Sequence, residues 1–385
     1  VRGVVATRPA AGASCDDVSP SRHAARVPLA IFVSSRLALW ALAAGTVVLF
    51  GDHLNPARGR WDSPRLHELG AAVDVWARWD SDWYLRIAEG GYRWPSSTPA
   101  FFPLYPALVG GVGRLLDAHF LLAGVLVSLA AGAAAFVLLY DLVCARLGAP
   151  DARRTVLYLA LFPTSLFLGA VYAEALFLAL AIGTFVLAER DRLGWAAVAA
   201  GLALLTRPQG VALLPALALF AWRAERRGRA LALLAVPLVM FCAFPLVLEA
   251  WIGHGLAFLD AQRVWDRSLA PLGPLGGLVQ AVGEGDVLGP ALALGLVALA
   301  LLAWRILGPA YGVYALAALA LPMAFPSERL GGLYSFPRLA LAAFPCLAAL
   351  AVLGRDRRVH AVVVAVLGAT LAVDVVRWAL WYWVA

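Results

Sequence analysis

Long apolar runs, separated by short charged connections, recur along almost the whole chain. They fall at about 28–50, 120–145, 155–170, 172–188, 194–206, 209–222, 231–251, 288–304, 311–325, 337–353 and 359–381. A helix needs roughly 20 apolar residues to cross a bilayer. Several runs are shorter, so their helices are expected to continue into flanking loops or to pair around a Pro or Gly break. The pattern predicts an all-α membrane protein of about 11 transmembrane helices. Residues 1–27 are polar and lack an apolar stretch, which reads as a flexible cytoplasmic tail ahead of a polytopic domain over 28–385. The segment FFPLYPALVGGVGRLL at 101–116 is short and rich in Pro and Gly. It reads as a re-entrant or juxtamembrane helix rather than a crossing.

Composition sharpens this. Of 385 residues, 62% are apolar and only 14% charged, which excludes a soluble globular enzyme and a disordered chain. The net charge is +7, and every basic residue is Arg. Most of these Arg lie in short connections: Arg146/Arg153/Arg154, Arg190/Arg192, Arg223/Arg226/Arg227/Arg229, Arg305 and Arg355/Arg357/Arg358. With eleven crossings all of these fall on the side of the N-terminus, the cytoplasmic one. The charge is therefore topological, and no nucleic-acid partner is expected. Two long segments remain on the outer side, 51–119 and 252–287; connections of that length are usually functional or disordered. The first is too aromatic for disorder and is expected to be the catalytic loop.

Chemistry concentrates in DVWARWDSDWYLRIAEGGY, residues 74–92. Placed on one helix, Trp76, Trp79, Trp83 and Ile87 form an apolar face, with Tyr84 at its edge and Asp80 inside it. Arg78, Asp82, Arg86 and Glu89 lie opposite. The expectation is an amphipathic helix at the membrane surface, tryptophans down. Asp82 has a simple reading as the ion-pair partner of Arg86 four residues on. Asp80 has no basic partner on its own face, and a desolvated carboxylate there is a candidate proton acceptor; a helix cap or a distant Arg is the competing explanation. Glu174, Arg207, Glu249, Gln262, Arg263 and Arg338 also fall at the outer ends of apolar runs. Isolated ionisable groups in such places point to function, though structural ion pairs compete. Arg forks suit phosphate. Arg36 is expected to snorkel to the inner surface, and Asp374 to pair with Arg377. The six His are scattered, so no metal ligand set is expected.

At WDSDWYLRIAEGGY followed by FFPLYPAL, the chain resembles bacterial relatives of the GPI mannosyltransferase 2 family, also called PIG-V, a family of polytopic GT-C glycosyltransferases. The segments LFPTSLFLGAVYAEALFLAL, LALLTRPQGVALLPALAL, GLAFLDAQRVW and SFPRLALAAFP match in order, so the resemblance extends over about residues 28–355. It implies a GT-C-like fold with a large first extracytoplasmic loop. It also implies a polyprenyl-phosphate mannose donor used on the extracytoplasmic face of the cell membrane, and a loop carboxylate as base. The family's Trp-Asp matches Trp79 and Asp80, its Tyr-x-Glu Tyr172 and Glu174, its Thr-Arg Thr206 and Arg207, and its Pro-Arg Pro337 and Arg338. The acceptor is expected to be a lipid or glycan.

Those residues suit an inverting single displacement. Asp80 would take the acceptor proton, and Arg207 and Arg338 would hold the leaving phosphate. Trp79, Trp83, Tyr84 and Tyr105 could stack on a sugar or the first isoprene units; Asp82, Arg86, Glu174 and Gln262 complete the expected binding set. No metal or other cofactor is required. The competing class is a polytopic transporter or lipid flippase. It would place charges near the bilayer midplane with broken helices in matching halves, whereas these charges gather toward one face. A membrane scaffold would have no use for Asp80 among tryptophans.

Overall fold

In the computed structural model residues 23–384 are described. Most of the tail expected over 1–27 lies outside them, and the chain is already helical from His23. Apart from two isolated bridges, Arg267–Ser327 and Ser327–Gly331, all regular structure among the described residues is helical. Five helices are long and apolar enough to cross a membrane: Ala25–Phe50, Phe120–Leu147, Arg227–Ile252, Leu288–Leu307 and Arg357–Ala379. The remaining apolar runs form shorter helices, among them Leu193–Leu204, Pro309–Ala324 and Phe344–Leu353.

Proline explains most of the shortening. The run at 155–170 is helical only to Leu161, then tightens into a 3-10 turn from Pro163 to Leu168. The run after Leu204 resumes as a 3-10 turn at Pro208 before the helix Leu213–Arg223. Pro lacks an N–H and clashes with the preceding turn, so each helix stops just before it. Arg36 completes the first break. It is buried, donating to the carbonyls of Ser165 (2.5 Å) and Ala160 (3.3 Å) and to the Ser165 hydroxyl. The expected snorkelling is thus replaced by capping: the guanidinium supplies donors to carbonyls for which water is absent. Asp374 and Arg377 do pair, at 3.8 Å.

The apolar interior has two parts. One packs the helices of residues 131–217 against those of 293–351. The other is aromatic and gathers residues 66–125, 166–173, 244–258 and 371–384. The segment 168–173 wedges between them, and small residues admit it. A Cβ at Gly132 would meet the Leu168 carbonyl at 2.9 Å, and one at Gly124 would meet the Val171 side chain at 2.6 Å. Glu174 stands where the two cores join, with Ala173 in the aromatic one and Ala175 in the other.

Charge is likewise layered. At one end of the bundle Arg146 pairs with Glu189, Arg190 with Asp141 (2.5 Å), and Arg154 and Arg355 with Asp151 (2.7 and 2.6 Å). The helix Glu174–Glu189 runs from this layer to the opposite end, about 24 Å away at 1.5 Å per residue.

The segment 74–92 is not one helix. A turn at Ala71–Asp74 is tied by the Asp74 carboxylate, which accepts from the N–H groups of Glu68, Leu69 and Gly70. Trp79 then adopts a left-handed conformation (φ 53°), and the helix begins at Ser81 and ends at Gly90. The shared face of Trp76 and Trp79 with Trp83 and Ile87 is therefore lost. Trp76 and Trp79 are buried within the protein rather than laid on the membrane. The segment 101–116 contains the helix Leu104–Leu115.

Candidate active site

Asp80 occupies the position just before the helix Ser81–Gly90. Its placement comes from Tyr172, whose hydroxyl accepts from the Asp80 N–H (3.0 Å) and donates to the Arg78 carbonyl (3.1 Å). One buried phenol thus fixes the turn that aims the carboxylate. Asp80 Oδ2 accepts from Arg338 at 2.9 Å, with both side chains largely buried. The unpaired Asp80 expected from the helical face is therefore corrected: its partner arrives from far along the chain.

Arg338 also lies 3.5 Å from Glu174, and Glu174 pairs in turn with Arg207. Asp80, Arg338, Glu174 and Arg207 form one chain of alternating charge. Two carboxylates and two guanidiniums cancel, which makes their shared burial tolerable. Arg338 is held over three rings, Phe167 and Tyr172 at 5.5 Å and Trp383 at 5.2 Å. A small cleft lies between Glu174, Phe177, Arg207, Gln209 and Arg338. Gln209 closes one side by donating to the Leu339 carbonyl (3.2 Å). Glu174 Oε1, Arg207 Nη1 and Arg338 Nε meet as ion pairs without hydrogen-bond geometry, and Glu174 Oε2 and the indole N–H groups of Trp79 and Trp383 make no hydrogen bond.

Asp82 differs from Asp80 in a decisive way. Its Oδ1 accepts from Ser63 (2.6 Å) and its Oδ2 from Arg86 (2.5 Å), so both oxygens are engaged. Asp80 makes a side-chain hydrogen bond through Oδ2 alone. Arg86 lies over Trp83 at 5.3 Å, and Trp83 stacks on Phe101. Tyr84 packs edge-on against Phe101, Tyr105 and Tyr172. Burial, with the Glu174 charge added, pushes its phenol well above the ordinary value, so it remains a neutral hydroxyl.

Other expected contacts fall elsewhere. Tyr105 is fully buried, its hydroxyl bonded to the Gly124 carbonyl (3.0 Å) and Ser128 (2.9 Å), so it offers no surface for a sugar. Gln262 donates to the Ala100 carbonyl and ties the second long loop to the first. Glu249 accepts from the Gly255 N–H, and Arg263 is exposed beside Asp260.

The sequence reading omitted the C-terminal aromatics. Trp381 and Trp383 both pack on Trp79, at 6.0 and 5.4 Å, and Tyr334 stacks on Trp383. It placed Arg78 on the polar face of a helix without a role; Arg78 is buried, forms no ion pair among the described residues and lies over Trp381 at 4.4 Å. The signal was an aromatic-rich end to an otherwise aliphatic last run. Among the described residues no third carboxylate, His or Cys joins Asp80 and Glu174 to make a metal set.

Residues 68–218 match the family model described as mannosyltransferase (PIG-V). The resemblance is thus shown for the stretch that holds the first four segments, with Asp80, Glu174 and Arg207; the last two segments, and Arg338 with them, lie outside it. GPI alpha-1,6-mannosyltransferase 2 of Rattus norvegicus is 35% identical over 181 residues, 43% of this chain and 36% of that protein. The Cricetulus griseus protein of the same name is 38% identical over 130 residues, 31% of this chain and 26% of that one. The match therefore spans about a third or less of the curated relatives' length. Among solved structures, ArnT from Cupriavidus metallidurans in the apo state is similar with a TM-score of 0.53 at 17% identity, over 85% of this chain and 59% of that one. The same protein bound to undecaprenyl phosphate gives 0.54 at 17% identity, over 87% and 61%. This likeness concerns the fold alone.

Proposed function

We propose that the chain is an integral-membrane mannosyltransferase that moves mannose from a polyprenyl-phosphate donor to a lipid or glycan acceptor by an inverting single displacement. The reading places the site on the extracytoplasmic face of the cell membrane, with about 11 crossings, and takes 51–119 as the catalytic loop. The observation that carries it is the Asp80 carboxylate, held by Arg338 through one oxygen in a segment shared with the mannosyltransferase family. The undecaprenyl phosphate bound by the similarly folded ArnT supports a lipid phosphate as the donor's carrier.

The acceptor hydroxyl oxygen attacks the anomeric carbon as the bond from that carbon to the phosphate oxygen breaks. The hydroxyl proton passes to Asp80 Oδ1, and the electron pair of the broken bond leaves on the polyprenyl phosphate. Arg338 fixes the rotation of the Asp80 carboxylate. Glu174 keeps Arg207 and Arg338 in place, so the cluster needs little reorganisation as charge moves. Trp79, Trp83 and Tyr84 form the aromatic wall beside Asp80.

Proteoliposomes carrying the purified protein, supplied with radiolabelled polyprenyl-phosphate mannose and a membrane lipid and glycan extract, test this. Label should pass into an acceptor with release of unlabelled polyprenyl phosphate. Consumption of no donor under any acceptor supply, while another polyprenyl-phosphate sugar is consumed, would assign a different sugar. Vectorial movement of intact donor would assign a flippase.

A further inference from the structure

The cluster around Asp80 has balanced charges. Asp80 and Glu174 are already neutralised by Arg338 and Arg207. A donor of the proposed kind brings a phosphodiester with one negative charge, and its departure leaves a phosphate with more. The charges of Arg207 and Arg338 are already matched by the two buried carboxylates. A further cation is needed.

Arg267 is that cation. It lies in the second long loop and has no acidic partner among the described residues. Two of its N–H groups donate to the carbonyls of Phe325 (3.1 Å) and Tyr334 (2.9 Å). A guanidinium offers five donors, so three remain. The residue is half-buried, and its backbone bridges Ser327 of the turn that leads to Arg338. Tyr334 links it to the site: its carbonyl accepts from Arg267, its ring stacks on Trp383 (5.6 Å), and Trp383 lies under Arg338. Burial, and after it the nearby Arg338, lower the Arg267 pKa to about 10, which leaves it charged at neutral pH. Arg36 and Arg78 are also buried without an ion pair among the described residues, but Arg36 is spent on the Ala160 and Ser165 carbonyls, and Arg78 faces Trp381 and the Asp62 side of the first loop.

We propose that Arg267 binds the phosphate of the lipid-linked donor, through the guanidinium donors left free by its two carbonyl bonds. The assignment rests on the polyprenyl-phosphate reading above. It makes Arg267 the group that matches the donor's charge, while Arg338 and Arg207 orient the base and its neighbour. The second long loop thereby supplies the leaving-group subsite, and the first supplies the base.

Full-length protein in neutral phosphatidylcholine nanodiscs, titrated with undecaprenyl phosphate and with undecaprenol, tests the assignment. Arg267→Gln should weaken undecaprenyl phosphate at least about tenfold, the loss of a charged hydrogen bond, and shift undecaprenol by less than about twofold. Equal phosphate binding by wild type and variant would overturn the role. Loss of both ligands would show that Arg267 only staples the 325–334 turn. A wild type that does not prefer the phosphate over the alcohol would instead sink the lipid-phosphate reading itself. Arg267→His gives an independent measure that does not depend on the Gln variant folding. Its phosphate affinity, taken relative to wild type at each pH, should fall as pH rises through roughly 6–7, where imidazole loses its charge. A flat ratio would overturn the proposal.

Discussion

Arg338 donates to Asp80 at 2.9 Å although 258 residues separate them in the chain. The contact joins the first long loop to the short helix Phe336–Ala340, and through Glu174 and Arg207 it joins two further helices. A carboxylate so held is oriented and free at one oxygen.

Asp80→Asn preserves shape and still accepts from Arg338, but it cannot take a proton. Turnover should fall at least about a hundredfold, the usual worth of a general base. Asp82→Asn should retain most activity, because its carboxylate is committed to Ser63 and Arg86. Purified variants compared for sugar transfer decide between them; an active Asp80→Asn beside a dead Asp82→Asn would move the base to Asp82.

Glu174→Gln leaves two guanidiniums without their shared carboxylate. Breaking a buried pair from one side typically costs about 3–5 kcal/mol. The variant should therefore melt at a clearly lower temperature in detergent than Asp80→Asn, whose Arg338 still has Glu174. Equal melting points would show that Glu174 is not the keystone of the cluster.

Tyr105→Phe removes a hydroxyl bonded to Gly124 and Ser128 deep under the site. Stability should drop by about 1 kcal/mol, while donor KM stays at the wild-type value. A raised KM with unchanged stability would restore the sugar-stacking role that its sequence position suggests.

Single Cys substitutions at Ser63 and Arg227 should be labelled by impermeant reagents from opposite sides of the membrane. The motivation is the Arg-rich layer at one end of the bundle and the Asp80 cluster at the other. Labelling of both from one side would sink the eleven-crossing reading.

Much of the site's membership was legible because isolated charges at the ends of apolar runs are conspicuous: Asp80, Glu174, Arg207 and Arg338 were all singled out. Their connections were not. Pairing of Asp80 with Arg338 depends on how distant helices pack, which no local spacing encodes. A 3.6-residue period assumed through 74–92 could not register the left-handed turn at Trp79, since that conformation is imposed by Tyr172 and the C-terminal tryptophans. Arg36 was misplaced for a related reason. Its position within an apolar run suggested escape to water, while its acceptors are carbonyls exposed by a break near Pro163. Trp383 and Arg267 went unnoticed because each works through a neighbour rather than a motif.

The separation between Asp80 and Arg338 also bears on biosynthesis. Glu174 begins a buried helix, and its partner Arg207 follows at the end of the next helix pair, so its charge is matched soon after insertion. Asp80 must wait until almost the whole chain has been translated. A lone carboxylate inside a newly inserted helix would be expensive to keep during that interval; in the proposed topology Asp80 sits instead in the first long loop. On that topology the acid with the late partner is the one stationed outside the lipid, and a nascent chain stalled before residue 338 would hold an unfinished site.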